Sequence, residues 1–107
     1  MNLPKIVKDL INAQNSHDSA AYTQCFDQTA FVFDEGKKHT GKAAIQNWIE
    51  TSNLEYATVL KPVKYTETAD EALLTAEVSG TFPGSPAVLQ FHLAMKDGLI
   101  HSLHISG

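Results

Sequence analysis

Asp34 is the residue in this sequence whose setting points most directly to chemistry. It closes the run AFVFD (30–34), where apolar and aromatic residues lead straight into a carboxylate. A carboxylate at the mouth of an apolar pocket loses solvation, its pKa rises, and it can take a proton from a substrate near neutral pH. Two readings of Asp34 stand open at this level. In one it is a general base in such a pocket; in the other it is a solvated strand end paired with Lys37 or Lys38. His101 is the second titratable residue of interest. Alternation along LIHSLHI (99–105) puts it on one face with Leu99, Leu103 and Ile105 and predicts an inward ring. An inward His101 that met Asp34 across a cavity would form a base–orienter pair. His39 falls in the loop before a helix and is expected at the pocket rim.

The remaining reactive side chains offer less. His17 falls in a turn, and His92 and His104 are expected to point outward together. A metal centre needs three or four converging ligands, and the five histidines and one cysteine have no such spacing, so no metal is expected. Cys25 reads as a buried thiol with no base placed beside it. There is no glycine-rich phosphate loop and no GxSxG, so no cofactor and no serine-hydrolase chemistry are expected. Tyr22, Phe26, Trp48, Phe82, Phe91, Met95 and Leu103 are the expected walls of a pocket suited to a flat apolar ligand.

The elements that must position these residues follow from periodicity. In LPKIVKDLINAQ (3–14), apolar residues recur at three- and four-residue steps, one stripe of an amphipathic helix. NSHD (15–18) ends it. Asp18 or Ser19 then caps a short helix, SAAYTQCF (19–26), and AFVFD is a short strand. TGKAAIQNWIETS (40–52) predicts a third helix, with Thr40 as its N-cap. From Tyr56 the period changes to two. Strands are expected at Tyr56–Thr66, with Pro62 marking an edge or a bulge, and at residues 72–82, 89–96 and 99–105, the last two joined by the KDG turn. Three N-terminal helices followed by long strands predict an α+β fold: a curved, cone-like antiparallel sheet wrapped around the helices, with an internal apolar pocket.

The chain has 107 residues, 43% apolar, which predicts one globular domain over residues 1–107. Net charge is −4, and all eight basic residues are lysine. An acidic chain without arginine is a poor match to nucleic acid. No apolar run of about 18 residues exists, so no membrane partner is expected. A single cysteine allows no internal disulfide and suits a cytoplasmic setting.

The order of elements and several local motifs resemble the SnoaL-like and ketosteroid isomerase-like branch of the nuclear transport factor 2-like superfamily, which shares the cystatin-like fold. The resemblance runs over essentially the whole chain. It rests on AQNSHDSAAYTQCFDQTAFVFDEG (13–36), HTGKAAIQNWI (39–49) and VSGTFPGSPAVLQFHLAMKDGLIHSLHI (78–105). Family features are matched by Asn15 and Asp18 between the first helices, by Phe26-Asp27, by the strand-end Asp34, and by Gly41 opening a helix that carries Ala44-Ile45. The resemblance implies Asp34 as a base that moves protons beside a carbonyl. Leu10 and Phe91 stand at the positions where the isomerases carry hydrogen-bond donors for the enolate oxygen, and neither can donate. The late-strand Asp of the cyclases has no inward counterpart; Asp97 lies in a turn. The resemblance further implies a homodimer through the outer sheet face, a view supported by Leu73, Val88 and Ile100 among the residues read as outward. Two functions follow: proton transfer on a small hydrophobic carbonyl or aromatic compound, with Asp34 as base, or a non-catalytic ligand-binding or dimerisation module.

Overall fold

The amphipathic stripe of the first segment forms α1 (Lys5–Asn15), entered through Pro4, and it buries Val7, Leu10, Ile11 and Ala13. The structure, a computed structural model, describes residues 1–107. Asp18 caps α2 (Ser19–Gln24) by accepting from the Ala21 N–H at 3.0 Å, and Asn15 ties the end of α1 to the sheet. The Asn15 amide both donates to the Leu60 carbonyl and accepts from its N–H, at 3.1 and 2.8 Å. The Asn15–Asp18 pair thus has a physical job: one side chain anchors the first helix and the other starts the second.

β1 (Phe26–Asp34) is longer than the expected strand and turns directly into β2 (Lys37–Thr40), a region expected to be loop. Glu35 and Gly36 both hold positive φ, 52° and 76°, as a two-residue turn matching the twist of a hairpin requires. α3 (Lys42–Tyr56) is entered through Gly41 rather than Thr40, and Gly41 sits at φ 88°, where a side chain would be strained. The remaining strands are β3 (Val59–Glu67), β4 (Glu71–Ser79), β5 (Ala87–Lys96) and β6 (Leu99–Ser106). They make one sheet in the order β2-β1-β6-β5-β4-β3. β3 is an edge strand with a bulge between Pro62 and Lys64, as the proline suggested.

Two features depart from expectation. The sheet is mixed, because β1 joins β6 in parallel. β6 also carries an extra residue: Ala94 pairs with Ser102, but Met95 pairs with Ile100, so His101 is left out of the β5–β6 ladder. A bulge of one residue exchanges the faces on either side of it. Ile100, read as outward, is therefore wholly buried in the core, and His101, read as inward, is displaced from the Leu103 face.

The helices pack on one face of the sheet. There, Ala72, Leu74, Ala76, Val78, Phe91, Leu93 and Leu103 meet Val7, Tyr22, Ile45 and Ile49 in a single core. The other face carries Phe31, Phe33, Leu73, His92 and His104. No helix of the structure is long and apolar enough to cross a membrane.

Candidate functional site

Asp34 ends β1 on the inner face, the face of the buried Ala30 and Val32. Its cross-strand partner in the hairpin is Lys37, yet no lysine comes within ion-pair distance; the chain's ion pairs are Lys5–Asp9 and His101–Asp27. Lys38 turns to the outer face, its ammonium 4.3 Å from the centre of the Phe31 ring. The lysine-paired alternative for Asp34 is not the observed arrangement. Burial pushes the Asp34 carboxyl above its ordinary value, and the neighbouring charge of Glu35 adds to this. The Trp48 indole, the Glu35 backbone N–H and His39 pull the other way without cancelling the rise. The indole N–H faces the carboxylate without closing a hydrogen bond of good geometry.

Trp48 organises the surroundings. Its ring centre lies 5.7 Å from that of His39 and 6.1 Å from that of Tyr22, which in turn is 5.5 Å from Phe26. Register explains His39: it stands across from Val32 in β2, so it faces inward beside Asp34. Sequence reading placed His39 at the rim and Trp48 and Tyr22 in the wall; in the structure these rings form a chain leading from the carboxylate toward the core.

The other expected wall residues behave mainly as core. Tyr22, Phe26, Phe91 and Leu103 are buried, while Trp48, Phe82 and Met95 pack against them at the edge. The two main cavities, of about 360 and 460 Å³, lie elsewhere. One is on the outer sheet face between Glu71, Leu73, His92 and His104. The other is a groove between α1 and α2 beside Asp9, Asn12 and Cys25. Burial, with a smaller contribution from Asp9, pushes the Cys25 thiol up to about 11, far from a thiolate nucleophile.

His101 does not meet Asp34. Its Nδ1 lies 2.9 Å from Asp27 Oδ2, at the opposite end of β1, and its ring stands edge-on to Phe31 at 6.0 Å. The base–orienter pair expected from alternation is thus replaced by an Asp27–His101 pair at the bulge. Burial alone would raise the Asp27 carboxyl; the His101 hydrogen bond, the Thr29 N–H and the charges of His101 and Lys96 outweigh it and lower it.

One residue of interest escaped sequence reasoning. Asn53 continues the buried stripe Ile45–Ile49 on α3, is 8% exposed, and has no hydrogen-bond partner for either amide atom. The signal was present, since helical spacing from Ile49 put an amide where an apolar residue belongs.

No protein-family model and no curated protein sequence matches the chain. Solved structures do. A proposed polyketide cyclase from Sinorhizobium meliloti is 38% identical and superposes with a TM-score of 0.93, over 97% of this chain and 95% of that one. A hypothetical protein from Catenulispora acidiphila with a ketosteroid isomerase-like fold, in complex with trimethylamine, is 18% identical (TM-score 0.89, 99% and 87% covered). An epoxide hydrolase/cyclase-like enzyme of pyran ring formation in salinomycin is 19% identical (TM-score 0.81, 94% and 86% covered). The last two speak to the fold alone. With the first, they establish the class: an α+β cone of the ketosteroid isomerase-like and cystatin-like kind. The chain belongs to the SnoaL-like, nuclear transport factor 2-like superfamily.

Proposed function

We propose that this protein binds a small hydrophobic carbonyl or aromatic compound at the Asp34 end of the cone and transfers a proton there, in the manner of an isomerase or cyclase. The observation that carries this reading is the state of Asp34: a desolvated carboxylate on the inner face, free of lysine, beside Trp48 and His39. Asp34 takes a proton from the carbon next to a carbonyl, the C–H electron pair moves into the enolate, and the negative charge passes from Asp34 to the carbonyl oxygen. Asp34, now neutral, returns the proton at another carbon, or the enolate carbon attacks a second carbonyl. The similarity to a proposed polyketide cyclase at 38% identity supports the same class of chemistry. The test is hydrogen–deuterium exchange at the α-carbon of a panel of cyclic ketones and β-dicarbonyl compounds in D₂O, followed by proton NMR. Wild type should accelerate exchange on at least one compound, and Asp34→Asn should lose the acceleration. Exchange at the buffer rate across the panel would favour the second reading.

That second reading, a non-catalytic binding or dimerisation module, draws on the packing of Phe26, Phe91 and Leu103 into the core. Both readings take a second copy of the chain as partner through the outer sheet face, and a cytoplasmic setting. A row of residues across all six strands supports the partner: Lys38, Phe33, His104, His92, Leu73 and Thr66 stand side by side. Its chemistry is symmetric about the β6–β5 seam. A twofold axis there would set Phe33 over the other copy's Leu73 and each His104 over a His92, the self-complementarity an isologous contact needs.

A further inference from the structure

The family resemblance left the proposed reaction without a donor for the enolate oxygen, because Leu10 and Phe91 cannot supply one. Tyr22 offers an alternative from a different element. It lies on α2, is 1% exposed, and is held between Phe26 and Trp48. Its hydroxyl takes part in none of the chain's side-chain hydrogen bonds. Nor is it sealed away: the only buried side-chain polar atoms without a partner are those of Asn53. The trace of accessible surface left on Tyr22 therefore lies at its hydroxyl. A buried tyrosine normally finds a partner for its O–H; this one has none within the chain, which leaves it free to bond a ligand atom.

Trp48 links that hydroxyl to the carboxylate, its ring on Tyr22 and its indole N–H facing Asp34. We propose that the Tyr22 hydroxyl is the hydrogen-bond donor to the ligand's oxygen, completing the Asp34 site with a group that neither the isomerase nor the cyclase pattern supplies at this position. This rests on the reading of Asp34 as the base. Burial, then the nearby Cys25 and Asp34, raises the pKa of Tyr22 well above the usual phenol value, so it stays protonated and donates throughout the neutral range. When Asp34 accepts its proton, the negative charge moves toward Tyr22, and the proton of the tyrosine stays where it is. The ligand class narrows accordingly: a flat apolar compound with a neutral oxygen that accepts from Tyr22 while its acidic hydrogen faces Asp34. A compound that enters as an anion would meet the charge of Asp34 instead.

Two probes separate this role from ordinary packing. 2-Naphthol carries an oxygen that can accept from Tyr22 and donate to Asp34; naphthalene has the same flat apolar body and no oxygen. Binding is followed by calorimetry and by the NMR signals of Trp48 and Asp34. Wild type should prefer 2-naphthol, and Tyr22→Phe should erase roughly five- to tenfold of that preference while leaving naphthalene affinity unchanged. In addition, 3-fluorotyrosine placed at position 22 should shift its fluorine resonance with 2-naphthol and not with naphthalene, a readout that does not depend on the stability of Tyr22→Phe. If Tyr22→Phe keeps the full preference, or the fluorine signal responds equally to both probes, Tyr22 is core and the proposal fails while the Asp34 reading survives. If neither probe moves the Trp48 and Asp34 signals of wild type, the binding site itself is wrong and both readings fall together.

Discussion

Asp27 and Asp34 stand at the two ends of one strand, β1, and their surroundings move them in opposite directions. Asp27 has a partner in His101 at 2.9 Å and a backbone donor in Thr29, and its carboxyl is held below the ordinary range. Asp34 lacks both a lysine and a histidine bonded to it, and burial carries it upward. The difference shows what separates a structural carboxylate from a reactive one. Asp27 secures the irregular join between β1 and β6, where both strands bulge. Asp34 is left with its charge uncompensated, which weakens the fold and suits it to accept a proton.

The largest effect that could break this comparison is catalytic. Asp34→Asn should reduce α-carbon exchange by about 10²- to 10⁴-fold, the usual scale for a positioned base. Asp27→Asn should leave the exchange rate near wild type, and equal losses in the two variants would erase the distinction between the carboxylates. The outer face provides the next test. Leu73→Lys should weaken self-association by roughly 30-fold, as read by sedimentation equilibrium, with Leu73 as a central contact. A wild-type chain that stays monomeric at high concentration would remove the partner from the account.

The two carboxylates should also leave opposite marks on stability. A lowered folded pKa adds stability that is complete above the unfolded value and is lost as pH falls through the folded one. Asp27→Asn should therefore lower Tm at pH 7 by on the order of 5 °C, and the gap should close in acid. A raised folded pKa has the reverse effect, since ionising Asp34 costs the native state more than the unfolded chain. Asp34→Asn should raise Tm at pH 7, and this gain should shrink as pH falls through the raised folded value and be gone below about 4. Thermal melts across pH 3 to 8 would show the two curves diverging from wild type in opposite senses. Smaller still, Asn53→Leu should raise Tm by about 2–4 °C by removing a buried amide that has no partner; a fall would reveal an interior polar contact.

Much of this was legible in the sequence. The helical stripes, the Asp18 cap, the edge character of Pro62 and the inward faces of β4 and β5 followed from spacing alone; for Asp34 the sequence left a pocket base and a solvated strand end both open, and the structure sets it on the inner face. What escaped was non-local or a matter of one residue. The strand β2 reads KKHT, with no apolar alternation because it is a polar edge, although Glu35-Gly36 was a usable hairpin signal. The parallel β1–β6 pairing joins segments about 70 residues apart, and no local pattern encodes it. His101 was misplaced because alternation assumes an unbroken ladder, and one extra residue in β6 turned its ring toward Asp27. Tyr22 was read as a pocket wall and is buried in the core; the freedom of its hydroxyl depends on Trp48 and Phe26 packing its ring and on nothing bonding its tip.

The most direct test of the central claim is a carbon-detected NMR titration of the aspartate side chains, with Asp34→Asn and Asp27→Asn securing the assignments. The account predicts Asp34 above the reference value of about 3.9 and Asp27 below it in the same sample. An Asp34 value at or below that reference would mean a solvated strand end and would contradict its role as a base.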